Sequence, residues 1–245
     1  MTFSRRIVAE GLGTALLLST VVGSGIMGER LAGGNVAIAL LANSMATGAA
    51  LVALIWTFGP ISGAHFNPAV TLADASQGGM RWRDVPAYVT AQALGAFVGV
   101  FAAHLMFGEV LLQVSTHVRS GQGQLLSEFV ATFGLLVVIW GCSRQRPDTV
   151  PVAVGLYITA AYWFTASTSF ANPAVTLARS FTNTFAGIRP LDAPGFMLAQ
   201  LAGAVSATLL CRWLVPTLPT AARDVVVLKT DAQRAFVTGA HGERQ

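Results

Sequence analysis

The heptapeptide Asn-Pro-Ala-Val-Thr-Leu-Ala occurs twice in this chain, at residues 67–73 and again at 172–178. Seven identical residues at two separated places point to an internal repeat, and other segments recur in the same order. Glu10 stands early in the first apolar run and Glu128 stands alike in a later one, 118 residues on. Residues 91–96 read AQALGA and residues 199–204 read AQLAGA, 108 residues apart, while the two heptapeptides are 105 apart. The order is kept and only the connecting lengths differ. Within each heptapeptide the first two residues have a defined local meaning. Asn is a preferred helix N-cap and Pro is preferred at the first helical position. Asn67-Pro68-Ala69 and Asn172-Pro173-Ala174 therefore each open a short apolar helix.

The surroundings of the two motifs decide where those helices lie. Of the 245 residues, 53% are hydrophobic and 11% charged, which is too little charge to coat a soluble domain of this size. Six segments can cross a hydrocarbon core of about 30 Å: residues 7–27, 36–58, 85–108, 124–142, 150–168 and 193–215. The first follows Arg5 and Arg6 as a signal peptide would, but its length and the spans that follow make it a membrane helix. Each half has three spans, and an odd number inverts the second half relative to the first. The expected fold is thus an all-α membrane protein of six transmembrane helices and two re-entrant half-helices, an inverted 3+3 repeat. The repeats cover 7–108 and 124–215 of a channel domain spanning 1–215, and 216–245 form a polar tail. With both termini in the cytoplasm, eleven of the fifteen Lys and Arg fall inside, and Arg30, Arg119, Arg179 and Arg189 fall outside. This bias sets the orientation and accounts for the basic charge balance without nucleic acid. Two cysteines, Cys142 and Cys211, lack the number for a disulfide framework and the spacing for a metal site. Nothing suggests a cofactor.

Residues 61–78 and 169–187 are apolar yet too short and too rich in Gly, Pro, Ser and Asn to span. Pro68 to Gln77 makes a helix of about 15 Å, half the bilayer core. Two such pieces entering from opposite faces meet near the midplane, N-terminus to N-terminus. Each N-terminus acts as roughly half a positive charge. A cation arriving there has lost hydration and meets repulsion, whereas the amides of Asn67 and Asn172 can still donate to a neutral oxygen.

The run Ser62-Gly63-Ala64-His65-Phe66-Asn67-Pro68-Ala69-Val70-Thr71, the second Asn172-Pro173-Ala174 and the two early glutamates resemble the aquaporin and glycerol-channel family over about residues 7–215. The resemblance implies a pore in each subunit of a homotetramer and half-helix ends that exclude cations, a device described for aquaporin-type pores. It implies that Glu10 and Glu128 support the re-entrant loops by accepting their backbone N–H groups. It also implies a selectivity filter at Thr47, Ala160, Ser169 and Val175, if the loops have family length. The last of these is usually arginine. Valine there, with small neighbours, implies a wide and weakly polar mouth. Arg179, four residues further on, faces the same side of the half-helix and is a vestibule residue. The segment from Phe170 to Ser180 looks like a bacterial subgroup linked to arsenic resistance. The implied solutes are uncharged arsenite, polyols such as glycerol, and water, passing a multi-pass protein of the cell (inner) membrane.

Some residues remain open to two readings. His65 lies at the inner vestibule, as a pH-dependent gate or as a packing histidine. Gln92 and Gln200, each with a glycine three residues on, read as close helix packing with interhelical hydrogen bonds. An ion-coupled secondary transporter can share inverted repeats and broken helices, but apart from the paired glutamates the spans carry no charge relay. No nucleophile set, metal cluster or nucleotide loop suggests an enzyme.

Overall fold

The computed structural model describes residues 1–214; the expected tail at 216–245 lies outside the described residues. Eight α-helices follow in order. They are α1 (Phe3–Leu31), α2 (Val36–Ser62), α3 (Pro68–Ser76), α4 (Val85–Phe107), α5 (Gln122–Gln145), α6 (Val150–Phe164), α7 (Pro173–Arg179) and α8 (Ala193–Leu214). Single 3₁₀ turns at Trp82–Asp84 and Pro147–Thr149 lead into α4 and α6. No strand occurs among the described residues. The chain is a multi-pass, all-helical membrane protein: α1, α2, α4 with its 3₁₀ turn, α5 and α8 are each long and apolar enough to cross a bilayer.

The fifth span departs from expectation. It was to run over 150–168, but α6 has 15 residues, about 22 Å, and stops at Phe164. Thr165 turns extended (φ −110°, ψ 139°). Thr168, Ser169 and Ala171 then take positive φ, a conformation no helix contains. The four missing residues are used to approach the second half-helix.

The packing repeats with the sequence. α1 packs on α4 and, in the second half, α5 packs on α8, while α2 meets α6 across the two halves. Close approach at these seams depends on absent side chains. A Cβ on Gly95 of α4 would collide with the Gly11 carbonyl of α1. A Cβ on Gly203 of α8 would collide with the Phe129 carbonyl of α5. These are equivalent contacts, since Gly11 corresponds to Phe129 and Gly95 to Gly203 in the repeat. Small residues at helix seams are what lipid-embedded bundles require, because association there rests on close packing. The same holds where α2 crosses α6: a Cβ on Gly155 would lie 2.6 Å from the Gly48 carbonyl. Large apolar side chains such as Leu41, Trp56, Leu94, Leu156 and Leu209 remain exposed on the outside of the bundle, as a lipid-facing surface requires.

The half-helices are short, α3 with nine residues and α7 with seven. Both begin with Asn as N-cap and Pro in the first turn, as the heptapeptide dictates. Their N-terminal tips touch each other, and both also rest against α4 or α8.

Candidate pore

The tips of α3 and α7 are locked together by reciprocal bonds. Asn67 Nδ2 donates to the Ala171 carbonyl at 2.7 Å, and Asn172 Nδ2 donates to the Phe66 carbonyl at 2.7 Å. Each asparagine also caps its own helix. Asn67 Oδ1 accepts from Ala69 N at 2.9 Å, and Asn172 Oδ1 accepts from Ala174 N at 3.0 Å. A carboxamide nitrogen carries two hydrogens. One is spent on the opposite loop, so each Asn keeps one donor, and both side chains border a common cavity.

The loops entering the tips are strained in matching ways. Ala64 and Phe66 take φ of 50° and 49°, and their counterparts Ser169 and Ala171 take 48° and 47°. Such values are uncommon outside glycine and persist only where surroundings impose them. The glutamates supply that imposition. Glu10 accepts from His65 N at 3.0 Å, Phe66 N at 2.8 Å, Ser62 Oγ at 2.6 Å and Gln92 Nε2 at 2.8 Å. Glu128 accepts from Phe170 N and Ala171 N, both at 2.9 Å, and from Gln200 Nε2 at 2.6 Å. The glutamines also bind the motif threonines: Gln92 Nε2 lies 2.9 Å from Thr71 Oγ1, and Gln200 Nε2 lies 2.8 Å from Thr176 Oγ1. Glu10 and Glu128 therefore sit where loop support needs them. Gln92 and Gln200 join them rather than merely packing helices. Ser62 completes the first brace, and nothing in the sequence pattern singled it out.

The cavity between the halves measures about 110 Å³, several times the roughly 15 Å³ that one water needs. One wall is aliphatic, formed by Leu17, Val21, Leu51, Leu135, Ile139, Val154 and Ile158. The re-entrant loops add polar groups to the lining, among them Asn67 and Asn172. The N–H groups of His65, Phe66, Phe170 and Ala171 are turned to the glutamates behind the loops. Of the loop carbonyls, those of Phe66 and Ala171 accept from the asparagine side chains. Such a mixed lining offers both apolar surface and hydrogen-bonding groups.

Of the four filter positions expected from sequence, three border this cavity: Thr47, Ser169 and Val175. Ala160 does not. It is exposed on the outside of α6, and Ile158 and Tyr162 line the cavity instead. The reason is helical phase. Two residues turn a helix by about 200°, so Ala160 points away when Ile158 and Tyr162 point in. The expectation assumed a loop of family length between α6 and the second motif, whereas the wall residue stands ten before Asn172 rather than twelve. Tyr162 also fills space a small residue would have left open, and its hydroxyl donates to Thr47 Oγ1 at 3.3 Å.

Two residues at opposite ends of the cavity complete its lining. His65 borders it at the α3 side. Its Nδ1 lies 3.1 Å from Thr71 Oγ1 and its Nε2 lies 3.8 Å from Asp74 Oδ2. Asp74 is a buried neighbour that the motif reading missed; it lies seven residues after the motif Asn. Arg179 borders the cavity at the α7 side, its guanidinium carbon 3.3 Å from the centre of the Phe170 ring. Arg119, in the loop before α5, packs on the same ring at 5.1 Å. Burial pulls the Arg119 guanidinium below its ordinary pKa.

The model of the major intrinsic protein family matches residues 1–171 and 144–240 of the chain. The aquaglyceroporin AqpS of Rhizobium meliloti is 59% identical over 212 residues, covering 86% of this chain and 91% of that protein. The aquaporin NIP1-1 of Zea mays is 36% identical over 165 residues, covering 64% of this chain and 56% of that protein. The X-ray structure of the aquaglyceroporin from Plasmodium falciparum superposes with a TM-score of 0.69 at 22% identity, over 89% of this chain and all of that one, which is a likeness of fold. With its paired half-helices, repeated glutamate braces and shared cavity, this chain belongs to the major intrinsic protein family.

Proposed function

We propose that the protein is a passive channel for small uncharged solutes, conducting glycerol-like polyols and neutral arsenite, with water alongside. The observation that carries this reading is the cavity itself, whose lining combines aliphatic side chains with Asn67 and Asn172. A triol or a trihydroxyl metalloid can turn its hydroxyls to the asparagine donors and loop carbonyls and its remaining surface to the leucine and valine wall. Val175, which borders the cavity where family members usually carry arginine, leaves that stretch of wall apolar. The kinship with an aquaglyceroporin supports the polyol. Arsenite rests on the valine-bearing second motif. The channel sits in the cell membrane with both termini in the cytoplasm, on the strength of the Lys and Arg asymmetry, and the family resemblance supports a homotetramer with one pore per subunit.

The test is osmotic uptake into reconstituted vesicles. The wild-type protein is expected to accelerate swelling in glycerol and arsenite gradients above empty vesicles. Val175→Arg places a branched cation in the path and is expected to slow glycerol and arsenite more than water. Equal uptake of all three solutes by both proteins removes Val175 from the filter. No acceleration by the wild type removes the channel reading itself.

A further inference from the structure

Arg179 is a fully buried arginine, 2% exposed, on the wall of the cavity. Buried guanidinium groups ordinarily have a carboxylate partner, because an unpaired charge taken out of water is costly. Among the described residues no Asp or Glu lies within salt-bridge distance of Arg179. The nearest candidate, Glu128, is already committed to Phe170 N, Ala171 N and Gln200. Arg179 is anchored through Nε, which donates to the Ala186 carbonyl, and through its stacking on Phe170. Its two Nη groups donate to no described residue.

Arg119 shows what a purely structural arginine looks like in the same place. It packs on the same Phe170 ring, yet its Nε and both Nη atoms donate to loop groups, the carbonyls of Gly187, Ser167 and Phe185 and the Thr168 hydroxyl. It does not border the cavity. The pseudo-symmetry adds a second comparison. The counterpart of Arg179 in the first half is Asp74, and the counterpart of Phe170 is His65. The half-helix therefore does not demand a cation at this position, since the same turn of α3 carries an anion.

We infer that Arg179 is a specificity-determining residue, presenting its unspent Nη donors and a positive charge without an ion-pair partner to the passing solute. This rests on the channel reading above. A side chain one helical turn beyond Val175 lies on the same face of α7. The charge that Val175 lacks is thereby supplied from one turn further out along α7, in an anchored position. The aromatic ring of Phe170 and the Ala186 carbonyl hold the guanidinium plane, which leaves the Nη edge as the part that meets solute oxygens. In a narrow cavity of low dielectric this charge opposes cations far more strongly than it would in water. The other charged or titratable groups around it are Arg119, which adds to the repulsion, Glu128, whose carboxylate is held by its three amide donors and offsets part of the charge from a distance, and the Tyr162 hydroxyl.

The experiment measures, in reconstituted vesicles, the permeability to protons and potassium relative to glycerol. Arg179→Leu is expected to raise that ratio at least about tenfold, since a unit charge is lost at close range. Arg179→Lys keeps the cation and is expected to hold the ratio near the wild-type value. Val175→Arg combined with Arg179→Leu returns a guanidinium to the neighbouring turn and is expected to restore the ratio. An unchanged ratio in Arg179→Leu overturns the assignment. So does a ratio raised equally by leucine and lysine, which marks a packing role in place of a charge role. If Arg179→Leu does not assemble, the double variant and Arg179→Lys decide, and a raised ratio in both overturns the inference. Absence of glycerol uptake by the wild type is a different result, and it strikes the channel reading rather than Arg179.

Discussion

At the scale of single residues, the molecule spends its buried polar groups on holding two strained turns. Each glutamate faces donors only. Removing one leaves backbone N–H groups buried without partners, at about 1–3 kcal/mol apiece. Glu128→Ala strands Phe170 N, Ala171 N and Gln200 Nε2 together, so a loss of at least about 3 kcal/mol is expected. Glu128→Gln keeps one acceptor oxygen but turns an amide towards the remaining donors, and an intermediate loss is expected. Thermal unfolding in detergent orders the three proteins. Glu128→Ala melting together with the wild type means that the positive-φ loop is held by something other than this carboxylate. Glu10 and Glu128 were legible in the sequence because a carboxylate inside an apolar span is costly enough to demand a reason. Asp74 was not legible, since it sits near a helix end among Ser, Gln and Gly, where acidic residues are commonplace. Only its repeat partner, Arg179, marks the position as special.

At the scale of elements, the heptapeptide determines how α3 and α7 begin, while seams between long helices determine how closely the bundle closes. The helix starts were readable because Asn and Pro each have one role there. The end of α6 was not, because Thr165 to Thr168 read as a weakly apolar continuation, and only the demand of reaching Asn172 unwinds them. On this helix the cavity is bordered by Ile158 and Tyr162 and not by Ala160. Glycines divide by the same logic. Gly203 meets the Phe129 carbonyl, whereas Gly141, also within a helix, has nothing within 4 Å of its Cβ position. Gly203→Ala is expected to push α5 and α8 apart and to sharply lower the yield of folded protein. Gly141→Ala is expected to be tolerated, with a gain of up to about 1 kcal/mol from helix propensity. Size-exclusion profiles and melting temperatures of the two variants check this. Equal behaviour of both would show that the seam can relax by a methyl group, contrary to the contact.

At the scale of the whole molecule, inversion is the property from which the rest follows. Three spans per half put the two motifs on opposite faces, so identical sequences can meet tip to tip and give one cavity with similar walls and different ends. The ends differ where the repeat broke its own identity: His65 with Asp74 on one side, Phe170 with Arg179 on the other. Which end faces the cytoplasm rests on charge. Arg5, Arg6, Arg81 and Arg83 lie at the ends of helices on the face where α1 begins, and Arg119 and Arg189 lie on the other. Retaining positive residues on the cytoplasmic side places Ser4 inside and Ser120 outside. Both are exposed. In a background with Cys142 and Cys211 replaced by serine, Ser120→Cys is expected to react with a membrane-impermeant maleimide on intact cells. Ser4→Cys is expected to react only after permeabilisation. The opposite pattern would invert the protein, and with it would move the Arg179 mouth from the outer face to the inner one. Labelling of both sites on intact cells would mean an even number of crossings between them, which three spans per half cannot accommodate.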